Sequence, residues 1–422
     1  MTAQTLAQKI IANAAGRDQV TCGEIVTAQV DLAMVHDSSG PRRLKPVLEE
    51  LGVDVWDPDK VAIITDHFVP AFDDMTREIQ TLTREWVAQQ NIKAFHDQIG
   101  ICHVVLPEQG HLKPGMFVVG GDSHSPTGGA FGAYMFGIGA TEMAGVMATG
   151  EIWIKVPETI LIEWQGTLSD FVVAKDIMLA LCGALGMDGG GYQAVEYTGS
   201  AISALPMRAR MTLANMAAEL GAQTGLIAPD SVTLDYLAER DVHLDDISHW
   251  QTDASAPTKA HHTFNASTLA PQVAAPHSPA NAADVSDYEP TPVTVAYIGA
   301  CTGAKLDDLR GAAQVLKNNK LAPGVELLVA PASKQDQDLA ASEGVMSVFE
   351  DAGARILPNS CGICAGYGTD RLGEDVVCIS STARNFKGRM GAASSQVYLA
   401  SPYTVAASAI VGQIADPREI MG

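Results

Sequence analysis

The sequence predicts an α/β protein of two to four domains, and two observations carry the α/β expectation. Short apolar runs of strand length recur along the chain, most of them ending in a polar motif and followed by a helix-like segment. Of 422 residues, 47% are hydrophobic and 39 are glycine, while only 6% are aromatic. That balance suits buried sheets joined by tight turns and excludes a largely disordered chain. One core of ordinary size does not serve a chain of this length, so several domains are expected.

Residues 1–20 (MTAQTLAQKIIANAAGRDQV) read as an amphipathic helix and lack the continuous apolar core of a signal peptide. In the first domain, 1–157, Val61–Thr65 reads as a buried strand ending at Asp66-His67. His103–Leu106 reads as a second strand, and Phe117–Gly121 as a third that runs into Asp122-Ser123-His124. Ligands of open α/β sheets gather beyond the carboxyl ends of strands, which makes these polar ends candidate site residues.

The second domain, 158–290, opens with strand-like Thr159–Trp164 and continues with helix-like Asp170–Leu185 and Met211–Leu220. Asn215 and Glu219 lie four apart and would share one face of that last helix. Residues 251–292 turn to Ala, Pro, Ser, Thr and His, the composition of an irregular connector, with a domain boundary near 290. His261, His262 and His277 read there as solvated linker residues rather than metal ligands. In the third domain, 291–422, the run VTVAYIGA ends in Cys301-Thr302-Gly303 and ARIL leads to PNSCGIC. VVCIS then leads to STARNFKGR. No short-period repeat is present.

The formal charge is −22, from 27 basic and 49 acidic residues. Such a surface repels phosphate backbones and acidic lipid, so neither nucleic acid nor a membrane is an expected partner. No stretch approaches the roughly 20 apolar residues of a membrane span. The seven cysteines are scattered, which points to a reducing, cytoplasmic setting. A small anionic substrate would need a local basic pocket, and Arg384, Lys387 and Arg389 crowd one loop that could form it.

Cys361 and Cys364 form a C-x-x-C step that zinc, a redox dithiol and an iron–sulfur cluster all use. A zinc ribbon calls for a second ligand pair, which the flanking sequence lacks, and a dithiol leaves Cys301 without a role. Three thiolates on two loops suit an iron–sulfur cube with one open iron, as a Lewis-acid site requires. Zinc and dithiol remain open at this point. Cys22, Cys102, Cys182 and Cys378 read as small core residues. Asp66-His67, His103, Asp122-Ser123-His124 and Glu219 supply acid–base candidates, because a carboxylate orients a neighbouring histidine and raises its pKa.

Taken together, the block 100–160 and the motifs DLAMVHDSSGP, ITDHFVP, NMAAELGAQTG, IGACTGAKLDDLRGAA, SCGIC and RNFKGR resemble the aconitase superfamily. The resemblance runs over nearly the whole chain and falls in the branch of 3-isopropylmalate dehydratase and homoaconitase large subunits. It implies three α/β/α domains around a central 4Fe–4S cluster, without the swivelling fourth domain of single-chain aconitases. It further implies a hydro-lyase acting on a small 2-hydroxy dicarboxylate, 3-isopropylmalate first. Homoaconitate and alkylmalates such as 2-methylmalate or 2,3-dimethylmalate are the alternatives, with a non-catalytic binding protein as a reading of another class.

By resemblance, Cys301, Cys361 and Cys364 ligate the cluster, and His67 with Asp66 protonates the leaving hydroxyl. His103 with Asp122, and His124 with Glu219, support the bound water and carboxylate. His36, Asp37, Ser123, Asn215, Arg384 and Arg389 match pocket positions. A separate small subunit, carrying the swivelling domain and the base, is the implied partner. The chain departs from the usual family pattern at Gly303 and Ala383, where asparagines are common, and at Pro358-Asn359-Ser360. Changes beside a metal site retune its potential and stability.

Overall fold

The computed structural model describes residues 2–421; Met1 and Gly422, the outer limits of the first and third expected domains, lie outside the described residues. The first sheet has five parallel strands in the order Ala94–Asp97, Val61–Thr65, Leu32–His36, Phe117–Gly120 and Tyr134–Gly137. Leu32–His36 and Val61–Thr65 are buried at every position, which is why they read as continuous apolar runs. Strand order reverses at Leu32–His36, and such a reversal opens a crevice beyond the carboxyl ends.

Four parallel strands, Thr224–Leu226, Ala194–Thr198, Thr159–Gln165 and Ala260–Asn265, make the second sheet. The third has seven, in the order Ala282–Asp284, Gln272–Ala274, Gln396–Ala400, Val377–Ser380, Val295–Ile298, Glu326–Val329 and Arg355–Ile356. Its last five run parallel, and the first two are antiparallel additions. An antiparallel ribbon pairs Ile25–Gln29 with Glu151–Lys155.

The first and third sheets share one apolar core, in which Met34 and Ile64 join Ile298 and Leu327. Polar stitches run alongside it. Ile101 N donates to Ala332 O at 2.8 Å, Lys334 N to Ile99 O at 2.8 Å, and Ser333 Oγ to Glu108 Oε1 at 2.7 Å. Among the described residues no helix is long and apolar enough to cross a membrane.

Four local expectations are corrected. His103–Leu106 is not a strand but part of the helix Cys102–Glu108, whose first N–H groups are met from outside: Cys102 N donates to Asp66 Oδ2 at 2.8 Å. The helix expected from Asp170 begins at Ala174, because Phe171 takes a left-handed φ of 64° and Val173 N donates to Asp176 Oδ2. The helix expected over 211–220 is α-helical from Met207 to Asn215 and tightens into a 3-10 turn over Met216–Leu220. The connector expected over 251–292 contributes a strand to the second sheet and two to the third. Within it, His261 sits 2.9 Å from Glu163, and His277 is exposed.

Candidate active site

Three strands of the first sheet deliver the acid–base groups to its crevice. His36 closes one strand and Asp37 follows it; Asp66-His67 follow Thr65; Asp122-Ser123-His124 follow Gly120-Gly121. Asp37 accepts from the backbone N–H of His67 at 3.0 Å and of Phe68 at 2.9 Å, which fixes the turn after Thr65. His67 Nδ1 donates to Asp66 Oδ1 at 2.6 Å, and its ring stacks on His36 with centroids 3.9 Å apart. Burial alone would drive Asp66 up, but the His67 charge and hydrogen bond outweigh it and hold the carboxyl at about 2. Burial likewise works against charging His67, yet Asp66, with Asp37 and Asp122 beyond it, lifts the imidazole to about 10.

The second group centres on Asp122. Burial opposes its charge, but His103 donating from Nε2 at 2.7 Å holds its pKa well below the ordinary value. The His124 backbone N–H donates to the same Asp122 oxygen at 2.8 Å. His124 Nε2 donates to Glu219 Oε1 at 3.1 Å, and Arg384 Nε donates to that oxygen at 2.6 Å. Arg384 Nη1 reaches Ser123 Oγ at 2.9 Å, so one guanidinium ties the loop after the strand Val377–Ser380 to both Ser123 and Glu219. Glu219, wholly buried, has its pKa pushed up by burial but pulled below normal by Arg384 and His124.

The thiols come from the third sheet. Cys301 follows the strand Val295–Ile298, and Asn215 Nδ2 donates to its Sγ at 3.1 Å and to Thr127 Oγ1 at 2.8 Å. Cys361 N donates to Asp66 O at 2.9 Å, which hooks the cysteine turn onto the histidine turn. Cys364 is lowered to about 6, first by its hydrogen bond from Cys361 and then, against burial, by Arg389, His124 and Arg384. Cys22 is half-buried, whereas Cys102, Cys182 and Cys378 are core residues.

All fifteen candidate residues therefore belong to one contact network or, for Arg389, act on it by charge. Lys387, in the same basic loop, is exposed. Gly303 leaves room for Ser381: a Cβ there would stand 2.3 Å from Ser381 Cβ. Asn359 donates to Pro331 O at 3.1 Å and Ser333 O at 3.2 Å. Sequence reasoning missed Lys175, Thr302 and Ser381. The one available signal was the charged pair Lys175-Asp176 opening the otherwise apolar stretch IMLALCGAL.

Donor atoms close enough to share a single ion, within 4.8 Å of one another, occur in His36-Asp37-Asp66-His67 and His103-Asp122-His124. Both sets are explained by their own ion pairs and backbone bonds. The three thiols form no such single-ion set among the described residues: Cys361 and Cys364 hydrogen-bond each other, and Cys301 accepts from Asn215. Buried His36 Nε2, His103 Nδ1, Asn215 Oδ1, Glu219 Oε2 and Arg389 Nε have no protein hydrogen-bond partner, so the candidate residues keep spare donors and acceptors. This donor set fits an iron–sulfur group together with a small oxyanion.

Facing sheet ends that pool thiols, histidine–carboxylate pairs and arginine define a multidomain α/β protein built around one site. The aconitase family (aconitate hydratase) model matches residues 8–294 and 286–412, and the chain belongs to that family. It is 44% identical over 417 residues to the 3-isopropylmalate dehydratase large subunit 1 of Methanopyrus kandleri, covering 98% of this chain and 99% of the relative. The Aquifex aeolicus 3-isopropylmalate dehydratase large subunit is 41% identical, with 99% and 98% covered. A probable methanogen homoaconitase large subunit from Methanothermobacter thermautotrophicus is also 41% identical, over 100% of this chain and 99% of its own length.

Proposed function

We propose that the chain is the large subunit of a 4Fe–4S hydro-lyase that removes water from 3-isopropylmalate and adds it back at the neighbouring carbon, in the cytoplasm. The meeting of three cysteines, the histidine–carboxylate pairs and Arg384 in one site carries this reading. Full-length relatives named for that activity support it. Homoaconitate is the second reading, favoured by the full-length match to a homoaconitase large subunit.

Cys301, Cys361 and Cys364 would hold one cluster per chain, and that cluster supplies Lewis acidity toward the substrate hydroxyl. His67 is charged across the neutral range, the form a proton donor needs, and Asp66 fixes its Nδ1 so that Nε2 is free to protonate the leaving hydroxyl. Arg384 keeps donors beyond those used by Glu219 and Ser123 and binds a substrate carboxylate, with Arg389 adding charge. His103 on Asp122 and His124 on Glu219 orient the departing water. The base that removes the carbon-bound proton comes from a small-subunit partner.

Co-expression with a small subunit, anaerobic purification and a panel of unsaturated diacids test the reading. Iron and sulfide in the complex, with hydration fastest on the isopropyl-substituted acid, are expected. Bound zinc without sulfide, or a preference for the longer tricarboxylate, would replace it with another reading.

A further inference from the structure

Lys175 stands in the first turn of the helix Ala174–Leu185 and is 1% exposed. Its Nζ donates to the carbonyls of Ser381 at 3.1 Å and Thr382 at 2.5 Å, and to Thr302 Oγ1 at 3.4 Å. These three oxygens match the three protons of an ammonium, and none is a carboxylate. An ammonium taken out of water without a contacting anion is costly, so its compensation must come from farther away. The groups whose charge acts on it favourably are Glu219, Cys301 and Cys364, while Lys305 opposes. Burial brings its pKa down to about 8, so the side chain stays charged at neutral pH.

The three oxygens lie on two segments that both serve the site. Thr302 follows Cys301, and Ser381-Thr382 lead to Arg384. Ser381 already links them: Gly299 N donates to its Oγ at 2.9 Å, that hydroxyl donates to Gly299 O or Gly303 O, and Thr302 Oγ1 donates to its carbonyl at 3.0 Å. Lys175 holds the same junction from the second domain.

We propose that Lys175 is a positioning residue that locks the Cys301 turn to the Arg384 loop and sets a buried positive charge against the site's thiolates. The proposal rests on the cluster reading above. It assigns Lys175 two separable effects: the charge makes the cluster easier to reduce, and the tether keeps Arg384 aligned for substrate.

The test compares wild type, Lys175→Gln and Lys175→Met, each as the complex with the small subunit. A wild type that lacks iron and sulfide overturns the functional reading, and this proposal with it; the variants decide only the proposal. With a loaded wild type, Lys175→Gln keeps two N–H donors but no charge; a more negative midpoint potential and about 10-fold faster iron release to a chelator are expected. Lys175→Met loses the donors as well, and a raised KM is expected on top of both changes. A role in packing alone would leave the midpoint potential of Lys175→Gln unmoved, and that result overturns the proposal. Should circular dichroism show neither variant folded, Thr302→Val decides, because it removes one oxygen without stranding a charge; a rate of iron release equal to wild type overturns the proposal.

Discussion

On the histidine side of the site, side chains hold one another. Asp66 grips His67, Asp122 grips His103, Glu219 grips His124 and Arg384, and Asp37 braces the turn through backbone N–H groups. On the cysteine side, the thiols touch little besides Asn215 and each other, and their turns are set by backbone carbonyls that Ser381, Thr302 and Lys175 bind. The first wall is complete in the polypeptide. The second has a frame of backbone carbonyls around thiols with few side-chain partners. Preorganised charges suit proton transfer, whereas neighbouring thiols with few protein partners suit holding a metal group.

The sharpest way to break this contrast is Cys364→Ser. It removes the thiol most readily ionised, and loss of both bound iron and hydratase activity of the complex is expected; retained activity would refute the ligand assignment. Asp66→Asn tests the other wall. With His67 no longer held in its charged form, turnover falls by about 10²–10⁴-fold while iron content stays at the wild-type level.

The same variant carries a pH signature. The His67 pKa is raised from 6.5, so its stabilisation is complete below that value and fades as pH rises toward about 10. The Asp66 pKa is lowered from 3.8, so its stabilisation is complete above that value and is lost as pH falls toward about 2. The gap in melting temperature between wild type and Asp66→Asn is therefore widest between pH 3.8 and 6.5. A gap that stays constant outside that window would mean the pair is not the source.

Arg384→Lys probes the bridge between the walls. A point charge replaces a fork that binds Glu219 and Ser123 together, and a KM about tenfold higher is expected with smaller loss of kcat. The smallest effect falls on the frame alone. Gly303→Ala forces a Cβ against Ser381 and costs about 1–3 kcal/mol in urea unfolding. Ser381→Gly would relieve only part of this, since the Ser381 backbone oxygen also stands 2.7 Å from the added Cβ.

Legibility followed the same divide. Val61–Thr65 was readable as a strand because both faces are buried and the run is continuously apolar. His103–Leu106 looked alike on paper, yet it is helical because Asp66, far back in the chain, meets the first N–H of that helix. The connector 251–292 hid its strands because they are short and draw partners from distant segments, such as Gln165 beside Asn265 and Ala400 beside Val273.

By itself the sequence determined the residue types that chemistry requires and, for Asp66-His67 and Asp122-Ser123-His124, their places after strands, since a polar motif closing an apolar run is a local signal. The pairings are another matter. His124 with Glu219, Arg384 with Ser123 and Lys175 with Ser381 span 95, 261 and 206 positions. Only the docking of three sheets decides which side chains meet over such separations, because hydrogen bonds and desolvation act through space and leave no spacing rule along the chain.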